Sequence, residues 1–233
     1  MIVLKDIEFR RENGFLLKIE KLEIEQKTIL VGASGSGKTT LLRILSGLEE
    51  DFQGEYSLDG IPKERLGALN QRGVMYLSQD FLLWEHLSVI EHINFVLSGG
   101  KSLKDKKQSS EFLEMVGLIY KKNSKISQLS TGERQRLALA RALSAKAKYL
   151  FLDEPFSNID VVLANELIEI IEQRELIDGF TLIQSTHQHL GFKKENTQIV
   201  ILGNGEIIQQ GAWHEIQQNP KNRWVEQWVK LVS

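Results

Sequence analysis

One segment of eight residues constrains the fold of this chain more than any other feature. Residues 32–39 read Gly-Ala-Ser-Gly-Ser-Gly-Lys-Thr, which fits G-x-x-x-x-G-K-[ST], the pattern of a loop that wraps nucleotide phosphates with backbone N–H groups. The apolar residues 29–31 predict a short buried strand before it, and residues 40–45 have helical character. This strand–loop–helix order is what the pattern requires. The segment therefore predicts a site for ATP or GTP rather than a glycine-rich turn that binds nothing.

Each residue type in this loop has a physical role. Its glycines allow positive φ angles and a close approach of backbone to phosphate, and the helix that follows adds a partial positive charge. We expect Lys38 to reach the β- and γ-phosphates and the Thr39 hydroxyl to bind the Mg²⁺ that bridges them. The expected nucleotide-binding residues are Gly32, Ala33, Ser34, Gly35, Ser36, Gly37, Lys38, Thr39 and Thr40.

Composition narrows the class of protein. With 233 residues, of which 42% are hydrophobic, the chain can bury about 70% of its unfolded surface, enough for one large domain or two lobes that share a core. The net charge is −2 and no basic stripe is present, so nucleic acid is not an expected partner. The lack of cysteine excludes disulfides and thiolate metal sites. No apolar run approaches the roughly 18 residues that cross a bilayer, so we expect any membrane role to come through a separate subunit.

Hydrophobic periodicity divides the chain into regions. Residues 1–31 consist of strand-like segments separated by turn signals and predict an antiparallel β-region. Residues 81 to about 147 have mostly helical spacing and predict a helical lobe. An α/β pattern then resumes, with elements predicted at 149–152, 161–177, 180–185, 199–202 and 206–209.

Two further segments carry candidate functional residues. The apolar run 149–152 predicts a buried strand that ends at the adjacent acids Asp153 and Glu154, and open α/β sheets bind ligands at this end of their strands. Asp153 suits a direct or indirect role at Mg²⁺, and Glu154 suits a general base for the water that attacks the γ-phosphate. Farther upstream, Ser130 and Glu133 form a capping box that predicts a helix beginning at Ser130. Solvated acids and a simple helix cap are the alternatives for these two segments.

In chain order, these segments resemble the ATP-binding cassette (ABC) superfamily. The matching features are the loop 32–39, Gln79, the segment 129–133, the acids Asp153 and Glu154, the segment 157–160, and His187. The resemblance covers essentially the whole chain. It implies an α/β fold with a P-loop NTPase (RecA-like) core, an antiparallel β subdomain and an inserted α-helical subdomain. It also implies one ABC ATPase domain over 1–233, with the nucleotide-binding core at 1–80 and 149–233, the helical subdomain at 81–148, and no C-terminal regulatory domain.

The resemblance also assigns roles to residues that would otherwise be read as ordinary polar residues. It implies that Gln79 touches Mg²⁺ and the lytic water, that His187 contacts the γ-phosphate, and that Asp160 belongs to the D-loop. The implied catalytic residues are Glu154, His187 and Gln79; the implied Mg²⁺ residues are Thr39, Gln79 and Asp153; and the implied signature residues are Ser130, Thr131, Gly132 and Glu133.

The family's architecture implies a shared site. Two cassettes dimerise head to tail, and the signature of one covers the P-loop nucleotide of the other. The N–H groups at the start of the helix that Ser130 begins are suited to face a γ-phosphate across that interface. A second copy of this chain is therefore an expected partner.

The sequence departs from the family pattern in two places. Thr131 stands where the family usually has glycine, and Glu133 stands where it often has glutamine. Because the Thr131 side chain is bulky and restricts the backbone, we expect weakened closure of the dimer. The tyrosine that usually stacks on adenine is also missing. Phe9 and Phe15 are the candidates to replace it, and an ordinary core role is expected for Phe9.

The segments 153–157 and 211–225 resemble those of importer cassettes for small solutes, and 83–89 resembles the segment that receives a membrane subunit. The resemblance therefore implies solute import driven by ATP with Mg²⁺, with transmembrane permease subunits and a solute-binding protein as partners, at the cytoplasmic face of the cell membrane. The alternatives are an exporter-type cassette or a soluble, non-transport ABC ATPase. Trp224, Trp228 and Leu231 form an apolar stripe that we expect to pack on the core, with a partner surface as the alternative.

Overall fold

The computed structural model describes residues 1–12, 14–68, 71–99, 107–157, 159–186 and 196–232. Its strands are β1 (Ile2–Arg10), β2 (Leu16–Ile24), β3 (Thr28–Val31), β4 (Gln53–Leu58), β5 (Ile61–Pro62), β6 (Val74–Leu77), β7 (Tyr149–Asp153), β8 (Thr181–Thr186), β9 (Gln198–Gly203) and β10 (Glu206–Ala212). Its α-helices are α1 (Lys38–Leu45), α2 (Val89–Ser98), α3 (Lys107–Met115), α4 (Thr131–Ser144), α5 (Val161–Asp178), α6 (Trp213–Gln218) and α7 (Arg223–Val232). Short 3₁₀ turns lie at Lys63–Arg65, Ile119–Lys121 and Ile126–Gln128.

Within the described ranges, these strands form one sheet in the order β5-β4-β1-β2-β10-β9-β3-β8-β7-β6. The strands β9, β3, β8, β7 and β6 run parallel to one another. Strands β3 and β7 are buried along their whole length, as expected where helices cover both faces of a parallel sheet. The carboxyl ends of β3 and β7 therefore lie at the same edge of the sheet, separated only by β8.

The strands within residues 1–31 do not all pair antiparallel. Strand β1 pairs antiparallel with both β2 and β4, as the sequence predicts, whereas β3 pairs in parallel with β8 and β9. The prediction that the antiparallel region extends to residue 31 is therefore wrong for β3. A four-residue strand that is apolar on both faces carries no alternation, so its sequence alone does not indicate the direction of its neighbours.

Helices α2, α3 and α4 follow one another between residues 89 and 144 and pack around a common apolar core, which is continuous with one face of the parallel strands. Helix α4 lies deepest, with ten of its fourteen residues buried. None of the helices in the described ranges combines the length and the apolar character needed to cross a bilayer.

The C-terminal helix α7 differs from the sequence prediction. Its buried residues are Val225 and Val229, and Trp228 packs edge-on against Trp213 with the ring centres 5.7 Å apart. Trp224 remains 38% exposed and Leu231 66% exposed. The three predicted residues therefore do not pack on the core together. Val225 and Val229 face the core instead, and Trp224 and Leu231 stay at the surface.

Candidate nucleotide site

The loop between β3 and α1 has the backbone that a phosphate site requires. Gly37 precedes α1 at φ 107°, and a Cβ at this position would lie 2.9 Å from Leu17 Cδ1. Gly35 is also left-handed, at φ 77°, and a Cβ built there meets no heavy atom within 4 Å. Only glycine adopts these conformations without strain. The loop is therefore packed tightly at Gly37 and open at Gly35, where a phosphate would approach.

Lys38 lies at the first position of α1 and is almost fully buried, with 5% of the residue exposed. Its Nζ donates to the carbonyl oxygens of Gly32 at 2.9 Å and Ala33 at 3.2 Å. It also lies 3.5 Å from Oε1 of Glu154. One buried ammonium group therefore holds the shape of the loop and faces the acid that follows β7.

A pocket of about 380 Å³ brings together eight of the predicted site residues. Gln79 and Glu154 join the phosphate loop there, although they come from different parts of the chain. Phe15 lies beside Gly37, with its Cζ 3.0 Å from the position of a Cβ, whereas Phe9 is buried in the core formed by β1 and β2. The pocket is lined by Arg11, Phe15, Ser34, Gly35, Gly37, Lys38, Thr39, Thr40, Gln79 and Glu154.

Of the two phenylalanines left open by the sequence, Phe15 is the one that the structure places at this pocket. Arg11 is a pocket residue that sequence reasoning missed. It lies next to Phe15 because both belong to one turn, in which the Arg11 N–H donates to the Phe15 carbonyl at 2.9 Å. The proximity of Arg11 to Phe15 in sequence could have indicated it.

Asp153, next to Glu154 in the sequence, is only 2% exposed and is not among the described residues that line the pocket. Its Oδ1 accepts a hydrogen bond from the Ser185 hydroxyl at 2.6 Å, and its Oδ2 accepts one from the Tyr76 hydroxyl at 3.0 Å. Burial and the neighbouring carboxylate raise the pKa of Tyr76 above its usual range, so this hydroxyl stays a donor. Two protein donors thus fix the orientation of Asp153.

The same serine links the two acids. Ser185 Oγ also accepts the backbone N–H of Glu154 at 3.0 Å, and Glu154 has a left-handed backbone with φ 48°. Its side chain is turned toward the pocket and Lys38. Sequence reasoning missed Ser185 and Tyr76; the signal was their place on β8 and β6, the two strands that flank β7.

The signature segment forms the start of α4. Ser130 caps the helix: its Oγ accepts the Glu133 N–H at 3.3 Å, and a Glu133 carboxylate oxygen accepts the Ser130 N–H at 2.9 Å. The same carboxylate accepts from Tyr120 and from Lys121, each at 2.8 Å. Lys121 and the Ser130 N–H, helped by Tyr120, lower the pKa of Glu133 to about 2. Glu133 is therefore a charged cap at neutral pH.

The signature residues do not line the pocket of their own chain. Ser130 and Thr131 are exposed to solvent, and the described residues that line the pocket include none of the segment 130–133. A Cβ on Gly132 would lie 3.4 Å from Ile159 Cγ2, and Asp160 caps α5 by accepting the Leu163 N–H at 3.0 Å. The start of α4 and the start of α5 therefore form one surface, separate from the phosphate loop.

Arg141 connects α4 to the segment after Gln79. Its guanidinium donates to the carbonyl oxygens of Phe81 at 2.6 Å and Leu82 at 2.7 Å. Both of these residues have left-handed backbones, with φ 60° and 43°. The helix that begins with the signature thus holds the chain just beyond Gln79. His187, which the sequence predicts at the γ-phosphate, lies outside the described residues.

The oxygen-bearing side chains at the pocket suit a magnesium ion that is coordinated by both protein and phosphate oxygens. The Thr39 hydroxyl, the Gln79 amide and the Glu154 carboxylate offer oxygen ligands at the pocket, which Mg²⁺ prefers, and Gly35 leaves room for phosphate beside them. No group of three or more His, Cys, Asp or Glu side chains in the described residues could hold a metal alone. The residues therefore fit a metal that is bound together with the nucleotide.

Three comparisons place this geometry among known proteins. The family model described as "ABC transporter" matches residues 19–157. The probable sulfate/thiosulfate import ATP-binding protein CysA of Chlorella vulgaris is 36% identical over 234 residues, covering 99% of each chain. The spermidine/putrescine import ATP-binding protein PotA of Roseobacter denitrificans is 37% identical over 202 residues, and the match spans 55% of that protein. A solved dimer of the ATP-binding cassette MJ0796 with ADP and Pi superposes with a TM-score of 0.79 at 26% identity, covering 91% of this chain and 98% of that one.

Proposed function

The chain belongs to the ABC transporter family of ATPases, and from that premise we propose that it powers the import of a solute through separate transmembrane subunits. The family and the P-loop NTPase fold predicted from the sequence are confirmed. The observation that carries the proposal is the convergence of Lys38, Gln79 and Glu154 on one pocket beside the phosphate loop. Relatives that match most of this chain are named as import ATP-binding proteins.

In this proposal the charged and polar residues at the site have distinct tasks in hydrolysis. Lys38 neutralises the γ-phosphate, and Gln79 positions the attacking water, from which Glu154 takes a proton. Asp153 acts at the metal indirectly, because it is not among the described residues that line the pocket and its orientation is fixed by hydrogen bonds from Tyr76 and Ser185. Mg²⁺ supplies charge neutralisation of the phosphates when bound with ATP. The Thr39 hydroxyl and Gln79 are its proposed protein ligands, and Phe15 is the proposed platform for the adenine.

We further propose that the site is completed by a second copy. The start of α4 is open to solvent and does not line its own pocket, so the N–H groups there that the capping box does not use are available to a γ-phosphate held elsewhere. Closing a dimer from 1:99 to 99:1 takes about 5.5 kcal/mol of differential binding, which two bridging nucleotides can supply. Hydrolysis then removes the bridge. The solved MJ0796 dimer supports such a pairing in a protein of this fold.

The proposed partners follow from the import role. Transmembrane permease subunits would dock on the helical region after Gln79, where Leu82 is 68% exposed and Phe95 50% exposed. A solute-binding protein would deliver the solute, and the chain would work at the cytoplasmic face of the membrane. The helical subdomain at 81–148 is proposed as the part that meets the membrane subunit. An exporter-type cassette or a soluble, non-transport ATPase is the alternative outcome of the test below.

Co-purification tests the import proposal directly. A tagged copy of the chain, expressed in its native cell, should retain a hydrophobic multi-span protein after detergent extraction. In liposomes that hold this complex, we expect ATP hydrolysis to rise when a solute-binding protein with its solute is added on the side opposite the ATP. Solute movement into the compartment that contains ATP would support import, and movement in the opposite direction would establish an exporter. Recovery without any multi-span protein would favour the non-transport alternative.

Thr131 is expected to slow the enzyme. It stands at the first position of α4, exposed at the surface that would meet a partner's nucleotide, and its branched side chain adds bulk and restricts the backbone there. We expect Thr131→Gly to raise steady-state ATP turnover about fivefold, equivalent to about 1 kcal/mol of better closure. Lys107→Gly, at the first position of α3, is the control for the effect of glycine on a helix start. An unchanged or lower rate in Thr131→Gly rejects this role.

A further inference from the structure

Two of the exposed apolar features lie beside the proposed shared site without belonging to its catalytic machinery. The first, which we call the valine edge, consists of Val161 and Val162 at the start of α5, which are 63% and 70% exposed. The second, which we call the tryptophan groove, is lined by Trp224 and Leu231 on α7, which are 38% and 66% exposed. Single exposed apolar residues are common on protein surfaces, but adjacent ones that frame a depression indicate an interaction site.

The tryptophan groove adjoins the phosphate loop. Trp224, Trp228 and Leu231 face Gly32 and Ala33 across a depression of about 290 Å³. A second depression of about 300 Å³ extends from Trp224 along residues 33–36 of the loop. The buried face of α7 holds the groove in place. A molecule that covers the phosphate loop from outside would therefore reach Trp224 next.

The valine edge adjoins the signature. Ile159, two residues before Val161, lies 3.4 Å from the position of a Cβ on Gly132. The Asp160 cap fixes the first turn of α5, and buried residues of the same helix, beginning at Ala164, anchor it to the core. The two valines are thus presented on a fixed turn of helix beside the signature, rather than on a loose loop.

We propose that, in the ATP-bound pair of copies, the valine edge of one copy packs into the tryptophan groove of the other. This rests on the shared site proposed above, in which the signature of one copy covers the phosphate loop of the other. Each apolar feature adjoins one half of the shared site: the valine edge lies beside the signature, and the tryptophan groove lies beside the phosphate loop. Two-fold symmetry makes the contact occur twice, so it buries four valines and both grooves.

In this contact the apolar valine edge of one copy fills the apolar tryptophan groove of the other. Valine has no polar group to desolvate, and the groove offers an indole face and a leucine side chain to it. The contact would form only when ATP brings the copies together, and would thereby add apolar burial to the phosphate bridges. The second copy of this chain is therefore the partner of the groove.

The first test removes the apolar surface of the edge. In a Glu154→Gln background with saturating Mg-ATP, we expect Val161→Ser/Val162→Ser to raise the Kd of the dimer about 10-fold or more, measured by analytical ultracentrifugation. The matched control is Leu176→Ser/Ile177→Ser at the other end of α5, where these residues are 84% and 71% exposed. We expect the control to change the Kd less than about twofold. Equal effects of the two pairs would overturn the proposal.

The second test uses the absence of native cysteine. Val162→Cys with Trp224→Cys in one chain should form a covalent dimer under mild oxidation only when Mg-ATP is present, because a disulfide requires Cα atoms about 4.4–6.8 Å apart. Val162→Cys with Leu231→Cys is a second pair that leaves Trp224 intact. Ile177→Cys with Trp224→Cys is the control and should stay monomeric on a non-reducing gel.

The outcomes separate this inference from the proposed function. A dimer that sediments with Mg-ATP, but that neither cysteine pair crosslinks, overturns the contact and leaves the shared site standing. Crosslinking of Val162→Cys alone, without a partner cysteine on α7, would place the edge at the two-fold axis and likewise overturn the contact. Absence of any ATP-dependent dimer in all backgrounds would overturn both.

Discussion

Replacing Glu154 with glutamine should lower steady-state ATP turnover by about 10²–10⁴-fold while leaving nucleotide affinity nearly unchanged. The carboxylate faces the pocket from a left-handed residue at the end of β7, and glutamine keeps its size while losing its basicity. A group that takes a proton in the transition state contributes to turnover rather than to binding. Phosphate release at saturating Mg-ATP gives the first quantity, and titration with a fluorescent ATP analogue gives the second.

The variant should also hold ATP long enough for a dimer to accumulate. Glu206→Gln, an exposed acid at the start of β10, removes the same charge away from the pocket and should retain wild-type turnover. If Glu154→Gln lost ATP affinity in proportion to turnover, Glu154 would be a binding or structural group and its assignment as base would be wrong. A Glu154→Gln protein that hydrolyses ATP at the wild-type rate would exclude it from the proton transfer altogether.

Replacing Lys38 with alanine should weaken ATP binding strongly and abolish turnover. The ammonium group is buried and donates to the carbonyl oxygens of Gly32 and Ala33, so its loss removes the charge that meets the phosphates and the bonds that shape the loop. A hydrogen bond to a charged group contributes about 1.5–3 kcal/mol; the loss of more than one predicts an ATP affinity about 10²-fold or more below that of the wild type. Calorimetric titration with Mg-ATP measures it.

A matched control separates this effect from a general loss of charge. Lys230→Ala removes an exposed lysine on α7 whose Nζ lies 2.6 Å from Oε1 of Glu226, one turn earlier in the same helix, and this variant should bind ATP normally. Lys38→Arg keeps the positive charge and tests whether the site needs the shape of lysine. Lys38 is only 5% exposed, so little room is left for the larger guanidinium group. Wild-type ATP affinity in Lys38→Ala would contradict the assignment of this loop as the phosphate site.

Local patterns explain which parts of the fold could be predicted from the sequence. The phosphate loop, the strand that ends in Asp153 and Glu154, and the helix that Ser130 begins are each determined by residues within one turn or strand. Their backbone geometry follows from glycine conformations, burial and capping, which act over a few positions. For this reason these elements could be predicted before any tertiary contact was known.

The residue proposed to stack on the adenine of ATP could not be predicted from local sequence patterns alone. The sequence offers Phe9 and Phe15 as aromatic candidates and favours a core role for Phe9. Strand β1 places Phe9 in the core, and the turn before β2 places Phe15 beside Gly37. The alternation of a strand assigns residues to faces but does not say which face meets a distant loop. Only the packing of the antiparallel region on the phosphate loop places Phe15 at the pocket.

The sequence by itself determined which short segments bind phosphate, supply acids and begin helices, because those properties depend on neighbours along the chain. The tertiary structure decided which distant groups complete them: Tyr76 and Ser185 hold Asp153 across 77 and 32 residues of sequence, and α7 leaves Trp224 beside the loop. Such contacts depend on strand order and on the rotation of packed helices, which are set by the burial of the whole core rather than by any one segment.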